Sequence, residues 1–138
     1  MPQPTVHEAL IYLMVVTSAS DRDMAHPELG KIGEVVKSWP IFEDFDAERL
    51  IEVAQDCQEI LHGDDGLEKV LSLADKAIPT RLTDTAYAAV MEVAVADREM
   101  RLEEARVLQR IREHLEIDAL SVAAIEMAAK ARVRTLQT

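Results

Sequence analysis

A single cysteine, Cys57, excludes an internal disulfide framework and any zinc or iron–sulfur site built from several thiolates, though a mixed carboxylate or histidine metal site stays open. Glycine (4) and proline (5) are scarce, and no stretch alternates β-branched and polar residues as a half-buried strand does. No apolar run reaches the roughly 20 residues of a spanning helix, and Met-Pro-Gln-Pro-Thr lacks the basic start of a signal peptide, so a cytoplasmic location is expected. Basic residues are outnumbered, 15 Lys and Arg against 26 Asp and Glu, for a net charge of −11 and a pI near 4.7. A surface of that sign repels a phosphate backbone, so nucleic-acid binding is not expected.

What is present is an ordinary soluble composition: 138 residues, 49% hydrophobic, 30% charged, mean hydropathy −0.04. That fits one folded domain over residues 1–138 rather than a disordered tail. The charge is uneven. Residues 1–96 hold 18 acids and 7 bases, whereas residues 97–138 hold 8 of each. The densest acidic stretch is Glu43, Asp44, Asp46, Glu48, Glu52, Asp56, Glu59, Asp64, Asp65 and Glu68, with Arg49 the one base inside it. Such a run is read as a solvated helix face that keeps the protein soluble; the alternative is a surface that attracts a cation or a partner.

Apolar residues recur at helical spacing, which predicts an all-α fold of about seven helices. Thr5 and Glu8 make a capping box before a nearly all-apolar helix through Leu10–Val16. Pro27 sits in the first turn of an amphipathic second helix ended by Trp39-Pro40, and Asp46 caps a third that turns Leu50, Val53, Ala54, Cys57 and Leu61 inward. Asp65 and Glu68 suggest another capping box, before a fourth helix with Leu67, Val70, Leu71 and Ala74 on its stripe. A fifth, from about Thr83 to Ala96, is again apolar on most sides. The sixth carries Leu108, Ile111 and Leu115, and the seventh starts near Asp118 with Leu120, Ala124, Met127, Ala128 and Ala131 as its stripe. Residues from about Arg134 are expected to fray.

The informative feature is a repeat. Ser20-Asp21-Arg22-Asp23-Met24-Ala25-His26-Pro27-Glu28 matches Ala96-Asp97-Arg98-Glu99-Met100-Arg101-Leu102-Glu103-Glu104 at an offset of 76 residues. Each copy follows an apolar helix and precedes an amphipathic one, with Ile32 answering Leu108, Val35 answering Ile111 and Trp39 answering Leu115. Two pseudo-twofold halves, about 5–62 and 81–132, each supplying one central helix, are the expected architecture. Two copies are too few for a solenoid.

An apolar helix, then Asp-x-Asp/Glu-Met-x-x-x-Glu, then an amphipathic helix, twice in one short chain, resembles the TerB-like family of tellurite-resistance proteins and the related helical domain of membrane-anchored J-domain co-chaperones. The resemblance spans roughly residues 5 to 132. It implies a non-enzymatic bacterial domain associated with stress and tellurite resistance, with protein partners at the inner face of the membrane, and with a divalent cation bound by the acidic residues. The family usually has glycine after the first Asp, where this chain has Arg22 and Arg98. Glycine allows a left-handed turn there, whereas arginine must stay right-handed or pay about 1 kcal/mol or more. Paired arginines can also neutralise neighbouring carboxylates by bidentate contact, which weakens a cation site.

Asp21, Asp23, Glu28, Asp97, Glu99 and Glu104 are hard oxygen donors suited to calcium, magnesium or manganese. Neither copy is an EF-hand: the glycine position holds His26 or Leu102, and the bidentate-glutamate position Ile32 or Leu108. The competing reading is structural. Carboxylates in a first helical turn are favoured by the macrodipole, and Asp21 and Asp97 can close their loops by Asx-type bonds. Catalytic signatures are missing: no Gly-rich phosphate loop, no Gly-x-Ser-x-Gly, no His-Glu-x-x-His, and Cys57 and His62 project in different directions from one helix, so no enzymatic activity is expected. Methionines are read as core fillers, and Trp39, Phe42 and Phe45 as a local hydrophobic lid, with a docking patch as the alternative. Two functions follow: a cation-binding module using both acidic loops, or a scaffold whose Glu43–Glu68 surface docks a basic partner without metal.

Overall fold

A computed structural model describes residues 3–19, 26–96 and 102–137. Among these residues the fold is all-helical with seven α-helices: α1 (Val6–Ala19), α2 (His26–Ser38), α3 (Leu50–Leu61), α4 (Gly66–Ala77), α5 (Thr83–Ala96), α6 (Leu102–Leu115) and α7 (Ala119–Arg132). Short 3-10 turns at Pro40–Phe42, Ala47–Arg49 and Thr80–Leu82 serve as connectors.

The central helices lie where the apolar runs place them. Every residue of α1 from Ala9 to Thr17 is buried, as expected of a helix with apolar side chains on all sides. At the end of that stretch the Thr17 hydroxyl donates to the Leu13 carbonyl at 2.8 Å and so enters the core satisfied. α1 packs against α2, α3, α4, α5 and α6, and α5 against α1, α2, α6 and α7. Buried residues from Ala9 to Ala129 form one continuous core. The repeat positions Ile32 and Leu108, and Val35 and Ile111, are all buried.

The start of α1 is a formed capping box: the Glu8 N–H donates to Thr5 Oγ1 (3.1 Å) and the Thr5 N–H to Glu8 Oε1 (2.8 Å). Asp46 caps the 3-10 turn that runs into α3, accepting from the Glu48 N–H. The box expected at Asp65 and Glu68 does not form. Asp65 adopts a left-handed conformation (φ 52°, ψ 37°) and its side chain accepts no cap bond, because α4 begins hard against the end of α3. A Cβ on Gly66 would stand 2.2 Å from the Leu61 carbonyl oxygen, so glycine is what lets the two helices meet.

The face assigned to α7 is also corrected. Leu120 is 79% and Met127 64% exposed, and Ala124, Ala128 and Ala131 face outward with them. Ala129 is buried and Val122 and Ile125 pack on the core instead. Because α7 is apolar around most of its circumference, periodicity offers two acceptable stripes, and polar contacts select the one turned inward. On α3, Ile60 is buried and Leu61 only partly so.

Candidate acidic-loop site

The two acidic segments connect corresponding elements: residues 20–25 join α1 to α2, and residues 97–101 join α5 to α6. Asp21, Asp23, Asp97 and Glu99, with Arg22, Arg98, Met24 and Met100, lie outside the described residues. Glu28 and Glu104 occupy the same place in the two copies, the third residue of α2 and of α6. For Glu28 only the backbone is described. Glu104 is 3% exposed, and with Thr17 it is one of two buried polar residues among those described. A carboxylate at the start of a helix gains from the macrodipole, but burial to this degree costs several kcal/mol unless hydrogen bonds or an opposite charge compensate it. Glu104 therefore turns into the protein at the start of α6.

By residue type the six carboxylates carry only oxygen donors, the kind that hard divalent cations prefer. Among the described residues no group of three or more His, Cys, Asp or Glu side chains is placed to hold a metal ion.

The acidic stretch is laid out as a solvated surface. Glu43, Asp44, Asp46, Glu48, Glu52, Asp56, Glu59, Asp64 and Asp65 are exposed. Arg49 does not neutralise them: its guanidinium reaches Glu8 on α1 at 2.9 Å and lies 5.8 Å above the Phe45 ring. Glu68, at the end of the run, is the exception. Its carboxylate accepts from Arg110 Nε at 2.9 Å and lies 3.0 Å from His114 Nε2, which ties α4 to α6 and holds its pKa below the usual value, Arg110 contributing most.

Three further polar clusters hold helices together, and sequence reasoning missed them because their members lie far apart in the chain. Tyr87 on α5 donates to Glu126 on α7, with Arg112 of α6 beside both. Glu92 on α5 pairs with Arg132 on α7 and, at 3.7 Å, with Lys31 on α2. Near the start of α1, His7 Nε2 lies 2.7 Å from the Ile41 carbonyl oxygen, and its ring stacks on Phe42 and meets Phe45 edge-on, both at 5.5 Å. Phe42 is buried, so the aromatic cluster closes the core as a lid; Trp39 packs beside it on the wall of a groove of about 450 Å³. Cys57 is fully buried, and burial pushes its thiol up to about 12, which makes it part of the core and not a nucleophile.

Fold and site together define a helical protein with an acidic segment ahead of each of two amphipathic helices. The family described as tellurite resistance protein TerB matches residues 7–127, a span that includes both acidic segments, and the chain belongs to that family. No curated protein and no solved structure matches the chain. Among the described residues no helix is long and apolar enough to cross a membrane.

Proposed function

We propose that this TerB-family chain is a non-enzymatic binding module in which the two acidic segments, Asp21, Asp23 and Glu28 with Asp97, Glu99 and Glu104, bind a divalent cation of the calcium, magnesium or manganese type. The observation that carries the proposal is the family match over residues 7–127, which spans both acidic segments. Glu104, one of the six, lies buried at the start of α6. A bound ion would link the α1–α2 and α5–α6 connections, and so couple ion concentration to the stability of the bundle and to its affinity for a protein partner. Arg22 and Arg98 are the residues expected to set how tightly the ion is held. The test is cation-dependent thermal stabilisation of metal-stripped protein that disappears when Asp21 and Asp97 are both replaced by alanine.

A second reading rests on a different observation: nine exposed carboxylates between Glu43 and Asp65, with the run's one arginine engaged elsewhere. That surface suits a basic protein segment, cytoplasmic and near a membrane, and it needs no metal. It predicts binding that weakens with salt and with charge reversal at Glu52 and Glu59, and no response to divalent ions.

A further inference from the structure

Five large hydrophobic side chains are exposed among the described residues: Ile51, Leu120, Met127, Val133 and Leu136. Four of them lie on α7 or just after it, so the uncovered apolar surface is concentrated in this part of the chain. From Ala119 to Ala128 the exposed residues of α7 are Ala119, Leu120, Ala123, Ala124, Met127 and Ala128, with no charge among them. A helix face that met only water would carry polar side chains there.

The arrangement is self-complementary under a twofold axis. Leu120, Ala124, Met127 and Ala131 follow the alternating four- and three-residue spacing of a helix-pairing seam. An axis crossing α7 between Ala124 and Met127 sets Leu120 against the partner's Ala131, and Met127 against the partner's Ala124. Large side chains then meet small ones, which allows two helices to approach closely. The same axis brings the acidic turn of Glu116 and Asp118 beside the basic end of the partner's helix, marked by the partner's Lys130 and the partner's Arg134. Parallel pairing would instead stack Leu120 on Leu120 and like charge on like charge. Net charge points the same way. The acidic excess is confined to residues 1–96, while residues 97–138 are balanced, so two acidic copies meet with least repulsion through this end.

We propose that the outward face of α7 is a self-association surface that pairs antiparallel with a second copy of this chain. A helix of 14 residues is about 21 Å long and covers less than the standard interface, so the dimer is weak and concentration-dependent. Sedimentation velocity from about 0.01 to 1 mM protein is expected to show a monomer–dimer equilibrium. Met127→Lys is expected to weaken it about tenfold or more by forcing a charge into the seam, without altering the thermal midpoint, because this side chain is 64% exposed in the single chain. Orientation is read by mixing Leu120→Cys with Ala131→Cys under oxidation. The mixture is expected to form disulfide dimers and neither variant alone, the native Cys57 being buried and inert. A mass that stays at that of the 15.4 kDa monomer throughout overturns the proposal. So does a dimer indifferent to Met127→Lys, or Leu120→Cys cross-linking to itself as readily as in the mixture. Monomer that binds anionic phospholipid vesicles, with binding lost in Met127→Lys, would assign the face to a lipid surface and overturn it as well.

Discussion

Tyr87 donates its hydroxyl hydrogen to Glu126 at 2.5 Å, joining the central helix α5 to the peripheral helix α7. Arg112 approaches both from α6, 2.9 Å from the hydroxyl oxygen and 3.2 Å from the carboxylate. Burial pushes the Tyr87 phenol up to about 12, and the bond to Glu126 acts in the same direction, so tyrosine remains a donor across the neutral range. This contact, together with the pair between Arg132 and Glu92, fixes the rotation of α7. Glu126 can reach Tyr87 only with Val122, Ile125 and Ala129 turned inward, which leaves Leu120 and Met127 outside.

Tyr87→Phe is therefore expected to destabilise the fold by about 1–2 kcal/mol, the range for losing a hydrogen bond to a charged group whose second partner persists. Urea unfolding of the variant measures this directly. A change below about 0.5 kcal/mol would mean that the Tyr87–Glu126 bond adds little to the hold on α7.

The junction of α3 and α4 makes a paired prediction of opposite signs. Asp65→Gly relieves a left-handed residue and is expected to be neutral to stabilising, by up to about 1 kcal/mol. Gly66→Ala ordinarily favours a helix by about the same amount, but here the added methyl strikes the Leu61 backbone 2.2 Å away, so a loss of more than about 2 kcal/mol is expected. Thermal unfolding of the two single variants reads both signs.

Acid sensitivity follows from Glu8 and Glu68. The Thr5 N–H bond is the main cause that lowers Glu8, and the Arg110 hydrogen bond, followed by His114, is the main cause that lowers Glu68. Both folded pKa values lie below the ordinary 4.5, so their contribution is fully present above 4.5 and is lost as pH falls through the lowered values. The unfolding midpoint should fall as pH drops below about 4.5, and less steeply in Glu8→Gln and Glu68→Gln, which have no carboxylate to protonate. Equal slopes in all three proteins would contradict the assignment. The effect is modest, since Glu68 and Arg110 are both roughly half exposed and screened by solvent.

Helix order was legible in the sequence wherever local chemistry sets it. The Thr5–Glu8 box, the apolar run of α1 and the Trp39-Pro40 stop all stand where they were expected, because each depends on residues within one or two turns, whereas Asp46 caps the 3-10 turn ahead of α3 and not α3 itself. The inward face of α7 was not legible. Two apolar stripes compete on that helix, and the choice belongs to Glu126 and Arg132, whose partners lie about 40 residues away. Asp65 misled for a related reason: Asp followed three residues later by Glu reads as a capping box, yet Glu68 is claimed by Arg110 and His114 on another helix. At the acidic segments the sequence supplied the donor types and their duplication. The burial of Glu104 was beyond it, since the third residue of a helix faces water or core according to what packs around it.

The most direct test of the account is thermal unfolding of metal-stripped protein, alone and with calcium, magnesium or manganese at millimolar concentration, beside the Asp21→Ala plus Asp97→Ala double variant. Only ligands that bind the native state raise the midpoint, and a concentration about 100 times the dissociation constant adds about 2.7 kcal/mol. For a chain of this size the account predicts an upward shift of several degrees with at least one of the three ions, absent from the double variant. An unchanged midpoint with all three would contradict cation binding and leave the acidic surface from Glu43 to Glu68 as the working part of the module.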